Sequence, residues 1–218
     1  MPSTGSARSR WAGVPAEDRR ATRRDLLIDA AFDLLGTEGW SGTTVRAVCQ
    51  AARLNPRYFY ESFEDLDAVV VAVYDRVVAG LGAEVLRALE DTAHDPRAQV
   101  RALIERIVIF VDEDRRRARV LYVEALGNVA LNRRRIETGH SIVGFLESYA
   151  IERHGPPPAG EQVGRIAAAI LVGGTSEMVM EWLGGRIDVS REQLIDDATV
   201  LFLALGDAAA GLVQRRVR

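Results

Sequence analysis

Arg46, Arg57, Tyr58 and Tyr60 are the residues of this 218-residue chain whose types and spacing fit one definite chemistry, contact with double-stranded DNA. An arginine guanidinium can donate two parallel hydrogen bonds to a guanine edge, and a tyrosine hydroxyl can donate to phosphate. Thr43, Thr44, Asn55 and Pro56 stand around them, and all four suit helix starts. Their side-chain oxygens can accept from unpaired backbone N–H groups, and the fixed φ of proline fits a first helical turn. Thr43 or Thr44 can combine capping with a phosphate contact. Arg46 falls on the first turn of the helix they open, within reach of phosphate or a guanine edge. Arg57 and Tyr58 begin the next helix, the end that a recognition helix offers to bases. Tyr60 is placed for phosphate.

Catalytic groupings are sparser. Glu137 and His140 have the Glu-x-x-His spacing of di-iron carboxylate bundles, but such a site needs two copies and two more glutamates, and there is no second copy. His94, His140 and His154 supply a zinc site poorly, and neither a Gly-rich phosphate loop nor a Gly-x-Ser-x-Gly elbow occurs. No catalytic residue, metal or cofactor is therefore expected. A di-iron-type helical enzyme and a helical module that binds protein instead of DNA are the rival classes. Cys49, the one cysteine, faces inward where a small residue is wanted, which makes it filler rather than a redox sensor.

The elements that must hold the DNA-facing residues are three short helices. Leu27, Ala31, Leu34 and Leu35 share one face of the first, and Gly36 with Gly39 ends it. Val45, Val48, Cys49 and Ala52 make the inward face of the second, which opens at Thr43 or Thr44. Asn55-Pro56 starts the third, anchored by Phe59 and Phe63 four residues apart. Turn signals at Arg53 and Leu54 set helix-turn-helix spacing.

On these residues, Arg24 to Phe63 resembles the N-terminal domain of the TetR (tetracycline-repressor-like) family of bacterial transcription regulators. The pair Ala30-Ala31, the threonine before the second helix, and Tyr60-x-x-Phe63 match the family's pattern over roughly a quarter of the chain. Two positions depart from it: Arg53 stands where the turn usually has Gly, and Leu66 where a phosphate-facing lysine is usual. The resemblance implies an all-α, dimeric regulator of transcription, most often a repressor that binds an inverted-repeat operator and is released by a small molecule.

Composition agrees. The net charge is −3, yet from Arg19 to Tyr60 seven arginines face four acids, a local +3. With 48% hydrophobic residues and no apolar run approaching the eighteen or so needed to span a bilayer, no membrane partner is expected, and the cytoplasm is the expected compartment. Residues 1–18, rich in Ser, Gly, Pro and Ala, read as a disordered arm carrying Arg8 and Arg10; 19–64 read as the helix-turn-helix domain; 65–218 read as a helical effector-binding and dimerisation domain.

About nine helices are expected in all. Asp65 caps a fourth running towards Leu89. Asp95-Pro96 begins a fifth with Val100, Leu103, Ile104, Ile107 and Val111 inward. After a break at Asp112–Asp114, a sixth holds Leu121, Tyr122 and Leu126 and ends at Gly127. The seventh spans Val129 to Arg153, stopped by Gly155 and Pro156–Pro158. The eighth runs from Glu161 to Leu183, and Ser190 with Gln193 boxes a ninth to Val213. The eighth and ninth are apolar on more than one side, so one face of each needs a second subunit. Ile170, Gly173, Ile195, Leu201, Phe202 and Leu205 are the expected homodimer contacts. A regulator of this class also needs an effector cavity, for which Phe110, Tyr122, Phe145, Glu177 and Met178 are the candidate lining. An apolar lining suits a lipophilic molecule or acyl chain; nothing in the residues identifies the ligand.

Overall fold

The computed structural model describes residues 16–92, 95–155 and 162–217. Arg8, Arg10, His94 and the Pro156–Pro158 loop lie outside them. The described residues form helices and turns with no strand among them. The chain divides into two compact units, Met1–Val73 and Tyr74–Arg218.

In the first unit, α1 (Ala16–Thr37) is followed by a single 3-10 turn (Trp40–Gly42), α2 (Val45–Ala52), α3 (Pro56–Tyr60) and the start of α4 (Leu66–Glu90). Residues 16–18, expected in the arm, instead form the first turn of α1, where Glu17 and Asp18 complement the positive end of the helix dipole. The apolar stripe Leu27, Ala31 and Leu35 is fully buried together with Val48, Phe59 and Val69. These side chains make the core that fixes α2 and α3 against α1. Gly39, at φ 76°, turns the chain out of α1 in a conformation that a Cβ would strain.

In the second unit, α5 (Pro96–Glu113) lies against α10 (Arg191–Val217), while α9 (Val163–Leu183) packs on both α8 (Val129–His154) and α10. Asp65, Asp95, Asn128 and Ser190 each accept a backbone N–H at the start of their helix, as proper N-caps do. A core cluster of Ile104, Val108, Leu194, Ile195 and Ala198 is flanked by Val100, Met178, Trp182 and Phe202. The expected sixth helix is broken: α6 (Arg115–Ala118), a π turn (Arg119–Glu124) and α7 (Ala125–Gly127) follow one another. Leu121 is buried while Leu126 is exposed. One expectation needs correcting: α9 is long and apolar enough to cross a membrane by length and composition, with only 17% of that stretch buried.

Candidate nucleic-acid interface

The geometry around α3 follows from its caps. The Asn55 side chain accepts from Arg57 N at 2.9 Å and Pro56 occupies the first turn, so the helix begins at a fixed point. Arg57 then projects with its side chain 83% exposed, its Nε donating to Glu61 Oε1 at 3.0 Å. Tyr60 is 63% exposed, its ring edge against the buried Phe59. Tyr58 is half-buried, and the Arg23 guanidinium lies 4.3 Å from its ring centroid. Tyr58 is thus turned partly towards α1, whereas Arg57 and Tyr60 face solvent.

On α2, Thr44 is the N-cap, its hydroxyl accepting from Ala47 N at 3.1 Å, and Arg46 is exposed on the first turn. Thr43 differs from expectation. It is 2% exposed and its hydroxyl donates to Gly39 O at 2.8 Å, so it stitches the turn together and has no free face for phosphate. Arg53 closes α2 in the left-handed region at φ 54°, ψ 40°, donating its N–H back to Cys49 O and Gln50 O. Arginine there does what glycine does without strain; the left-handed region costs an L-residue about 1–2 kcal/mol. Burial pushes the Cys49 thiol above its ordinary value, which removes thiolate and leaves packing as its role.

Sequence reasoning overlooked Glu61. Besides Arg57, it meets Arg23 Nη2 at 3.6 Å, and its backbone carbonyl accepts from Arg20 Nη2 at 2.7 Å. The four-residue spacing from Arg57 was the available signal. Arg24 stacks at 4.6 Å from the Phe63 ring centroid. Arg20 and Arg23 of α1 and Arg57 of α3 thus gather around Glu61, while Arg46 stands exposed on α2.

Residues 27–73 match the family model described as bacterial regulatory proteins, tetR family. The chain is 32% identical over 91 residues to the HTH-type transcriptional regulator BetI of Burkholderia thailandensis, spanning 42% of this chain and 47% of that protein. Residues 27–73 are thus similar to the DNA-binding domain of the tetR family. The chain spans about half the length of the BetI relative, and the fold likeness extends further. A TetR-like transcriptional regulator from a Rhodococcus species superposes with a TM-score of 0.65 at 22% identity, covering 87% of this chain and 96% of the other. The transcriptional regulator FadR of Bacillus subtilis, solved in complex with stearoyl-CoA, gives 0.64 at 17% identity over 82% and 96%.

The C-terminal candidates separate into inward and outward sets. Phe110 is buried with the Arg117 guanidinium 4.1 Å from its ring centroid, and burial raises the Tyr122 phenol to about 12. Phe145, by contrast, is 54% exposed and Glu177 is exposed, so neither lines an interior. Phe145 was assigned inward by its type, yet it shares the outer face of α8 with Ile142 and Tyr149. Met178 packs on the α5–α10 core. Among the dimer candidates, Ile170 and Leu201 are 54% and 67% exposed, Gly173 is exposed with open space beyond it, and Phe202 and Leu205 are half-buried. Ile195 is a correction. It is 4% exposed inside its own unit's core, and a residue already covered there cannot also meet a partner. Glu137 is engaged by Arg133 and Arg134, and His140 stands exposed on α8.

Proposed function

We propose that the chain is a ligand-responsive transcription regulator, a repressor that binds an inverted-repeat operator as a homodimer and leaves it when a small molecule occupies the C-terminal unit. The observation that carries this reading is the start of α3 in a tetR-family domain: a capped helix from which Arg57 projects into solvent beside Tyr60. On this reading Arg57 reads a base, Arg46, Thr44 and Tyr60 position the helix on the backbone, and Asn55 and Pro56 set its start.

Dimerisation is supported by the outward faces of α9 and α10. Ile166, Ile170, Val200 and Leu201 are exposed aliphatics on two neighbouring helices, and Gly173 and Gly174 leave open space for a close backbone approach. Covering them removes apolar surface from water at about 25 cal/mol per Å². Two heads reading successive major grooves must sit about 34–36 Å apart, so a ligand that changes their separation weakens binding, typically by about 1–3 kcal/mol of coupling. The stearoyl-CoA in the FadR complex supports an effector held in a helical unit of this fold, and the cytoplasm is then the place of action. Selection of bound fragments from random DNA tests the whole reading. A recovered inverted repeat is the expected result; no enriched sequence would refute it.

A further inference from the structure

Arg135 stands half-buried on α8, with its Nε out of reach of solvent. Leu131, one turn earlier on the same stripe, is fully buried, and Thr138, three residues later, hydrogen-bonds with the buried Tyr74 of α4. A guanidinium nitrogen shielded from water is ordinarily matched by a carboxylate or another acceptor. Here its Nε is buried with no hydrogen-bond partner, and its Nη2 donates to a neutral group, Asn132 Oδ1, at 3.3 Å. The acids nearby are engaged by other arginines. Asp75 holds Arg134 at 2.6 Å, Glu137 meets Arg133 at 3.2 Å and Arg134 at 3.3 Å, and Glu124 holds Arg119 at 2.8 Å.

Tyr122 is linked to this group through Tyr74. It comes from the π turn, an element that recurs at functional sites, and lies within electrostatic reach of Tyr74, as Arg135 does. Protein surrounds its ring closely enough to raise the phenol, yet the residue retains accessible surface.

We propose that Arg135, together with Thr138, Tyr74 and Tyr122, forms the oxyanion end of the effector site, and that the effector is an organic carboxylic acid bound as its carboxylate. The assignment rests on the ligand-responsive reading above and gives it a ligand class. The Nε–H and the neighbouring Nη–H of a guanidinium match the two oxygens of a carboxylate in spacing and plane. Tyrosines whose phenols are raised by burial stay protonated at neutral pH and can donate. A monoanion matches the single uncompensated cation, whereas a phosphate dianion would bring a second charge into the interior without a partner.

The test is a series of straight-chain carboxylates from acetate to dodecanoate, with benzoate, each set against its neutral amide, by thermal melting and calorimetry on the full chain. At least one carboxylate should raise the melting temperature of the wild type while its amide does not. Arg135→Met should bind that acid about 10- to 150-fold more weakly, the range expected for hydrogen bonds to a charged group. Without ligand, Arg135→Met should melt at or above wild type, because methionine keeps the apolar stem and removes an uncompensated charge. No stabilising carboxylate, equal effects of acid and amide, unchanged affinity in Arg135→Met, or a variant melting well below wild type would each overturn the assignment. The regulator reading is judged apart from this, by sequence selection with ligand-free wild-type protein, so either can fail alone.

Discussion

The two units present opposite surfaces to solvent. Around α3 the exposed groups include a guanidinium and a phenol, Arg57 and Tyr60, whereas α9 and α10 expose, among their polar residues, the aliphatic side chains Ile166, Ile170, Val200 and Leu201. The first kind of surface gains by displacing counterions from a polyanion, and the second by leaving water against another apolar face. On the proposed function the contrast makes two binding modes with opposite salt responses: DNA affinity should fall steeply as salt rises, while the association of chains should not.

The largest effect should come from charging the apolar face. Leu201→Glu is expected to give monomers by sedimentation and to reduce operator affinity towards the non-specific level, by about 4 kcal/mol or more. An unchanged dimer would put the partner surface elsewhere. Next comes the cationic face, where Arg57→Ala should cost about 1–3 kcal/mol on the selected site and relax preference at one base pair per half-site. Equal weakening on random DNA would reduce Arg57 to a phosphate contact.

A smaller change should sharpen the picture of the basic face. Glu61→Gln removes the carboxylate that holds Arg57 and Arg23, so affinity for random DNA should rise by about 0.5–1 kcal/mol. Weaker binding instead would mean that the ion pair orients Arg57 for reading. The smallest effect is one of stability. Arg53→Gly relieves the left-handed strain but loosens the unfolded chain, a net gain of about 0.5 kcal/mol in thermal unfolding. A lower melting temperature would show that the turn depends on the arginine side chain.

What the sequence disclosed and what it hid follow from the range of the interactions. Caps are local, and Thr44, Asn55-Pro56, Asp65, Asp95-Pro96 and Ser190 mark helix starts where the structure has them. The core stripe of α1 was equally legible, since Leu27, Ala31 and Leu35 have nowhere else to go. The phase of α10 was not. With apolar residues on two faces, periodicity could not decide that Ile195 points into the core and Leu201 out. Phe145 and Thr43 were misplaced for related reasons: side-chain type was taken for position, and the tertiary turn around Gly39 that buries Thr43 leaves no mark in the residues beside it. The four-residue spacing from Arg57 could have marked Glu61, but its contacts with Arg20 and Arg23 become visible only when α1 and α3 are side by side.

The central claim is that two chains, joined through the α9–α10 face, read one DNA site together. The most direct measurement is the mass of the complex formed by ligand-free wild-type protein on a single duplex carrying the selected sequence, by sedimentation equilibrium. Two chains per duplex, bound together without a stable one-chain complex, is the predicted result; one chain bound at full affinity to a site without inverted symmetry would contradict it.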